Sequence, residues 1–187
     1  MTLPPRPLGD AGGAPDAPED SAWVFGYGSL IWRADFPVIE RIPARLHGWS
    51  RRFWQGSHDH RGTPEAPGRV LTLVRTSGAT CAGVAYRVRA KVLGHLDVRE
   101  QNGYQRSPVR LRRGDGTAID AWIYIAEPGN LAWLGDAPAA AIADQIRRAS
   151  GPSGRNAEYL LRLAAALREL GEDDPHVFEL ERLLLGR

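Results

Sequence analysis

The order of its elements predicts that this chain adopts an α+β fold. Three observations carry that expectation. Strand-like segments dominate up to about residue 125 and helical patterns fill the last third, and strands first with helices last belong to α+β architecture rather than to a regularly alternating parallel sheet. The 187 residues, 43% hydrophobic and 25% charged, have the length and composition of one ordinary globular domain, which at this size buries roughly 70% of its unfolded-chain surface. A single cysteine, Cys81, excludes an intrachain disulfide framework and any multi-cysteine zinc site, so the core is expected to stand on side-chain packing alone.

Residues 1–20 (MTLPPRPLGDAGGAPDAPED) offer almost nothing that can fill a core. A disordered tail is expected there, without the basic and apolar regions of a signal peptide. The folded domain is expected over residues 21–187. Residues 22–26 (AWVFG) read as a buried strand, stopped by the glycine-bearing turn Gly26-Tyr27-Gly28-Ser29. Residues 43–55 are aromatic-rich and extended. Residues 56–68 (GSHDHRGTPEAPG) form a long loop, a kind of segment that often carries function. Two further strands follow at residues 69–75 and 81–88, from their β-branched and aromatic content. Residues 90–101 are helical by period, and residues 109–111 and 119–125 read as a hairpin around Gly114-Asp115-Gly116.

The C-terminal third changes character. Residues 137–149 are an alanine-rich helix, expected to be capped by Asp136 and ended by Gly151-Pro152. Residues 156–170 put Leu160, Leu163, Ala164 and Leu167 on one helical stripe, and Gly171 suits the end of that helix. Asp174-Pro175 then fits an N-cap and first-turn proline for a last helix through Leu185. No apolar run approaches the ~20 residues of a membrane-spanning helix. The expected location is cytoplasmic, with no membrane partner.

The charge balance narrows the partners. The chain carries 24 basic and 22 acidic residues, a net of +2. Residues 1–20 hold Arg6 against Asp10, Asp16, Glu19 and Asp20, which leaves +5 on the remainder. Every basic residue but Lys91 is an arginine, whose planar fork suits carboxylates and phosphates. Such a modest excess can steer an anionic small molecule, whereas nucleic acid usually requires a clustered basic face.

Four groups of residues are candidates for chemistry. After the first strand, Gly26-Tyr27-Gly28-Ser29-Leu30 lets the backbone turn sharply and bring its N–H groups against a carboxylate or phosphate; the same glycines also suit a plain strand-exit turn. Ile31 stands where a dinucleotide-binding fingerprint needs its third glycine, and no Gly-Lys-Ser/Thr follows to make a P-loop. Glu100 shares a helical face with Leu93 and Leu96, a carboxylate where the stripe expects an apolar residue. Burial would raise its pKa and prepare it for proton transfer; pairing with an arginine or solvent is the alternative. His58-Asp59-His60 is a short chelate, but His47, His95 and His176 complete no zinc spacing. Cys81 lies in a strand pattern and reads as inert core. Trp49, Arg51, Arg52, Phe53 and Trp54, with Arg106, Arg110, Arg112 and Arg113, alternate aromatics and cations in a way that can clamp single-stranded nucleic acid, or that marks a half-buried strand with a solvated basic face. No G-x-Ser-x-G elbow is present.

Five segments together carry a family resemblance. WVFGYGSLIW (23–32), SRRFWQGSHDHRGTPEAPGRVLTL (50–73), GVAYRV (83–88), DVREQNGY (97–104) and SGPSGRNAEYL (150–160) resemble the ChaC-like γ-glutamylcyclotransferases, in the same order and over most of residues 22–186. The resemblance implies a compact mixed β-barrel with flanking helices. It implies cleavage of glutathione to 5-oxoproline and cysteinylglycine, with no metal or cofactor. The family's substrate loop falls on Val24, Phe25, Gly26, Tyr27, Gly28, Ser29 and Leu30, its catalytic glutamate on Glu100, and a substrate-contacting tyrosine on Tyr159. Gln101-Asn102 stands where the family often has a lysine-glycine pair, which alters the loop beside the glutamate. An arginine of the 51–61 region is expected to meet the glycyl carboxylate.

Overall fold

The computed structural model describes residues 20–100 and 102–187. The tail expected over residues 1–20 therefore lies, apart from Asp20, outside the described residues. Five strands make a closed barrel: β1 (Ser21–Gly26), β2 (Glu40–Ser57), β3 (Gly68–Arg89), β4 (Tyr104–Arg113) and β5 (Ala118–Ala126), in the spatial order β1-β3-β2-β4-β5. Neighbours run antiparallel, except that β1 closes on β5 in parallel at Val24 and Trp122. Closure removes the open sheet edges that otherwise invite association, and it makes the sheet mixed. The α+β barrel is thus the architecture that the resemblance implied.

Helix α1 (Lys91–Arg99) bridges β3 and β4. The last third adds α2 (Ala139–Arg148), a two-stranded ribbon of β6 (Ser150–Gly151) and β7 (Gly154–Arg155), α3 (Asn156–Glu169) and α4 (Pro175–Leu185). Helices α2, α3 and α4 pack on one another and against β2 and β3. The stripe Leu160, Leu163, Ala164 and Leu167 on α3 is fully buried, as its spacing predicts. Asp174 caps α4 by accepting from Val177 N at 3.2 Å, with Pro175 in the first turn.

The structure extends β2 and β4 beyond the expected 43–55 and 109–111, makes residues 150–155 a short ribbon, and departs most from the sequence reading in three further elements. The strands expected at residues 69–75 and 81–88 are one strand, β3, and the break between them is a register shift. Residues 76–79 lie between the paired Arg75 and Thr80, opposite Gly48 on β2. Helix α1 is shorter than the expected 90–101: Glu100 ends it with ψ near +25° while still donating its N–H to Leu96 O. Helix α2 starts at Ala139, not at residue 137, and Asp136 does not cap it; the Asp136 carboxylate accepts from Ala137 N instead. Pro138 is the cause, because a residue before proline is pushed out of the helical region.

His176 in the first turn of α4 ties the helices to the barrel. Its Nε2 accepts from Phe53 N at 3.1 Å, which requires the neutral ring. Burial, aided by the nearby Arg52 charge, pushes its pKa down to about 4. The unfolded chain takes up that proton near pH ~6.5. Between those values the unfolded state binds more protons, so stability should fall as pH drops from about 6.5 to 4. Calorimetric unfolding of wild type and His176→Gln across that range checks this. The acid loss should be smaller in the variant, whose amide oxygen can still accept from Phe53.

Candidate active site

At the end of β1 the chain makes a single 3-10 turn, Ser29–Ile31. The turn's own hydrogen bonds begin with Ile31 N to Gly28 O, so the N–H groups of Ser29 and Leu30 have no acceptor within it. Its carbonyls are held from the other side. Arg51 Nε donates to Tyr27 O at 2.8 Å, and Tyr86 Oη donates to Leu30 O at 2.6 Å. A trans peptide sets N–H opposite C=O, so holding Tyr27 O points the Gly28 N–H away from Arg51. Gly28 sits at a close approach: a Cβ there would lie 3.1 Å from Tyr159 Oη, which would have to give way by a few tenths of an ångström.

Glu100 comes to this turn from the end of α1. Its side chain is 23% exposed, and among the described residues no donor reaches hydrogen-bond distance of its carboxylate. Burial raises its pKa, opposed by the charges of Arg99 and His60. Arg99 Nε stands 3.6 Å from Glu100 Oε1, but Arg99 also faces Asp35 at 3.9 Å. Three tyrosines complete the surroundings: Tyr27 and Tyr159, both buried, and the partly buried Tyr104. Burial pushes all three phenols above their usual range, and the Glu100 charge adds to each shift. They therefore remain protonated donors. Tyr27 Oη donates to Tyr124 O at 2.7 Å, and Tyr104 Oη donates to Leu71 O.

These groups line two adjoining cavities. An inner one of about 60 Å³ is walled by Phe25, Tyr27, Gly28, Leu30, Leu71 and Tyr124. An outer one of about 260 Å³ is walled largely by polar and charged groups, among them Asp59, His60, Arg61, Arg99 and Arg162. Ser29, Glu100, Tyr104 and Tyr159 line both. Of the residues singled out from sequence, Phe25, Tyr27, Gly28, Ser29, Leu30, Tyr159 and Glu100 thus converge. Val24 and Gly26 do not reach the lining. Val24 is buried at the barrel closure, and Gly26 packs against Leu30 and Tyr86.

The other candidates resolve differently. His60 lies at the outer cavity, with Nδ1 3.1 Å from Ser153 Oγ. Among the described residues no three His, Cys, Asp or Glu side chains gather as metal ligands. Cys81 is buried, and its thiol is pushed up to about 11, as expected of inert core. The basic strip at residues 49–54 is a barrel strand whose basic face is not wholly solvated. Arg51 is buried, donating also to Ala82 O and pairing with Asp174 Oδ2 at 3.1 Å.

Sequence reading missed the support of the loop after Glu100. Gln55, fully buried on β2, donates Nε2 to Asn102 O and to Asn130 Oδ1, both at 3.0 Å, and accepts from Asn130 Nδ2 at 3.1 Å. Asn102 Nδ2 in turn donates to Asp59 Oδ2. Gly103 has φ of +87°, and a Cβ there would strike Asn130 and Gln55. Asn102, which stands at the position of the family's lysine-glycine pair, is thus held by two hydrogen bonds, from Gln55 and to Asp59. Strand parity was the available signal, since Arg51 and Gln55 alternate with Trp49 and Phe53 on one face.

A closed mixed barrel whose cavities bring a half-buried carboxylate to a glycine turn is a candidate small-molecule site. The chain belongs to the ChaC-like protein family, whose model matches residues 22–186. It is 43% identical over 170 residues to γ-glutamylcyclotransferase 2-3 of Arabidopsis thaliana, covering 84% of this chain and 85% of that protein. It is 41% identical over 180 residues to glutathione-specific γ-glutamylcyclotransferase 1 of Danio rerio, covering 91% and 92%. Among solved structures, the glutathione-specific γ-glutamyl cyclotransferase from yeast superposes with a TM-score of 0.84 at 30% identity, covering 89% of this chain and 96% of that one.

Proposed function

We propose that this protein is a γ-glutamylcyclotransferase that converts glutathione to 5-oxoproline and cysteinylglycine, with Glu100 as the general acid and base. The observation that carries the reading is the position of the Glu100 carboxylate at the junction of the two cavities, across from the Tyr27–Leu30 turn. The relatives' names supply the substrate. The inner cavity, edged by phenols and backbone N–H groups, suits the γ-glutamyl end, and the larger polar cavity suits cysteinylglycine. The scissile amide then lies beside Ser29, Glu100 and Tyr159.

In this reading the substrate brings its own nucleophile. The α-amine and the γ-carbonyl carbon belong to one glutamyl unit, so holding it folded makes a five-membered ring closure unimolecular. Glu100 takes a proton from the α-ammonium. The freed amine attacks the γ-carbonyl, and negative charge develops on its oxygen. The N–H groups of Gly28, Ser29 and Leu30 are the donors available to that oxyanion. The bond to the cysteinyl nitrogen breaks as Glu100 returns its proton to that nitrogen; the ring nitrogen then gives its remaining extra proton to the regenerated Glu100 carboxylate, from which it passes to the released amine as its ammonium. Atoms and charge balance without a cofactor, oxidant or metal. Among the described residues no helix is long and apolar enough to cross a membrane, and we propose action on the cytoplasmic glutathione pool. Following 5-oxoproline from glutathione incubated with wild-type protein tests the activity, and absence of product overturns it.

The base must be ionised when substrate binds, so the acid limb of kcat/KM should be displaced upward from the usual glutamate value, the direction in which burial moves Glu100. Arg99 lowers that pKa. Replacing it, Arg99→Gln, should move the acid limb to higher pH, and a pH–rate profile of both proteins reads the shift.

A further inference from the structure

We infer that Arg61 binds the C-terminal carboxylate of the leaving dipeptide and so sets the preference for a γ-glutamyl tripeptide over shorter or uncharged γ-glutamyl compounds. The inference rests on the reaction proposed above and concerns the far end of the same site.

Four arginines line the outer cavity, and three of them are committed elsewhere. Arg33 pairs with Asp35 at 2.7 Å, and its side chain is 62% exposed. Arg162 pairs with Glu158 Oε1 at 2.7 Å and is 53% exposed. Arg99 stands between Glu100 and Asp35, where it tunes the acid–base carboxylate. Arg61 differs from all three. Its side chain is only 11% exposed, and its nearest carboxylate oxygen, Glu158 Oε2, is 3.5 Å away on a group that already holds Arg162. Among the described residues its guanidinium hydrogen bonds use Nη1 alone, to Arg155 O at 3.1 Å and to Glu158 Oε2 at 3.5 Å. Among the described residues the Nε and Nη2 donors are engaged by neither bond. A guanidinium with half of its fork unspent, lining a polar cavity, is built for a bidentate carboxylate.

The region that sequence marked for this role, residues 51–61, contains two other arginines, and the fold removes both. Arg51 is spent on Tyr27 O, Ala82 O and Asp174. Arg52 donates to Arg51 O and lies over Trp54, and it does not line the cavity.

Distance agrees with the assignment. Tyr159 spans the two cavities: its hydroxyl abuts Gly28, and its ring carries the Arg61 guanidinium 5.7 Å from the centroid. Arg61 therefore sits one tyrosine side chain outward from the reacting turn. Two extended residues reach roughly 7 Å, which brings a glycyl carboxylate to that depth. The guanidinium is also held in place before substrate arrives. Nη1 donates to Arg155 O at 3.1 Å, Gly154 leaves room for it (a Cβ there would lie 3.2 Å away), and the main chain is fixed by Arg61 N donating to Ser57 Oγ at 2.9 Å.

The test is a cycle between the residue and the substrate group it is assigned. kcat/KM is measured for glutathione and for its C-terminal amide, with wild type, Arg61→Gln and Arg61→Lys. Thermal unfolding checks that each variant is folded. Wild type should favour the acid roughly 10–100-fold, the range expected of a charge-assisted pair. Arg61→Gln should bring the acid-to-amide ratio toward one, mainly through KM for glutathione, and Arg61→Lys should recover part of it. An acid-to-amide ratio unchanged in Arg61→Gln overturns the assignment while leaving the reaction intact. Wild type inert toward both compounds overturns the reaction, and the assignment with it.

Discussion

Glu100→Gln should lose 5-oxoproline formation by roughly 10²–10⁴-fold in kcat, with its fold intact. Glutamine keeps the size and polarity of the side chain but can neither accept the ammonium proton nor return it. KM should change far less, because the turn, the tyrosines and the outer cavity are untouched. The stability of the same variant separates a functional carboxylate from a structural one. Burial raises the folded-state pKa of Glu100 above its unfolded value. Between the two values the folded chain binds more protons, so stability falls as pH rises through that window and stays lower above it. Removing the charge should therefore leave the neutral-pH melting temperature equal to or higher than that of wild type. Circular dichroism melts beside the product assay read both effects, and a variant that melts lower at neutral pH would make Glu100 a structural residue.

Arg51→Met should be the most damaging single change to the frame of the site. Arg51 is 2% exposed at its side chain and satisfies Tyr27 O, Ala82 O and Asp174 together. Its loss leaves a largely buried carboxylate and two carbonyls without their donor. Breaking a buried pair by removing one partner costs about 3–5 kcal/mol, which lowers the melting temperature of a domain of this size by roughly 10 °C. Activity should fall as well at temperatures where the variant is folded, since Tyr27 O no longer anchors the turn that presents the N–H groups. The double variant Arg51→Met/Asp174→Asn should recover part of the stability, because the unpaired charge is gone and the amide oxygen can still cap α4. Denaturant titration of the three proteins gives the comparison. A midpoint for Arg51→Met equal to that of wild type would refute the buried role.

Local rules reach elements whose causes are local. The period of α3, the Asp174-Pro175 start of α4 and the glycine turn after β1 depend on residues a few positions apart, and all three are present in the fold. The misread start of α2 was local too, since Pro138 outweighs Asp136 as a boundary signal. The continuity of β3 was hidden because Gly78 and its neighbours look like a turn, while the pairing partner that carries the strand through is β2, some thirty residues earlier. The site divides in the same way. Glu100 was visible as a carboxylate on an apolar stripe. Its setting was not, because Tyr27, Tyr104 and Tyr159 come from three distant segments that meet only when the barrel closes and α3 docks. Arg51 and Gln55 were within reach, since strand parity places both on the face of Phe53, but a charged residue on such a strand is normally taken to face solvent.

The central claim is that the bond to cysteinylglycine is broken by the substrate's own amine and not by water. Running the reaction on glutathione in ¹⁸O-enriched water and analysing the products by mass spectrometry tests it directly. Ring closure predicts equal amounts of cysteinylglycine and 5-oxoproline, with no heavy oxygen in the 5-oxoproline when it is first formed. Glutamate carrying one ¹⁸O in its γ-carboxyl group would show that water had attacked, and would contradict the account.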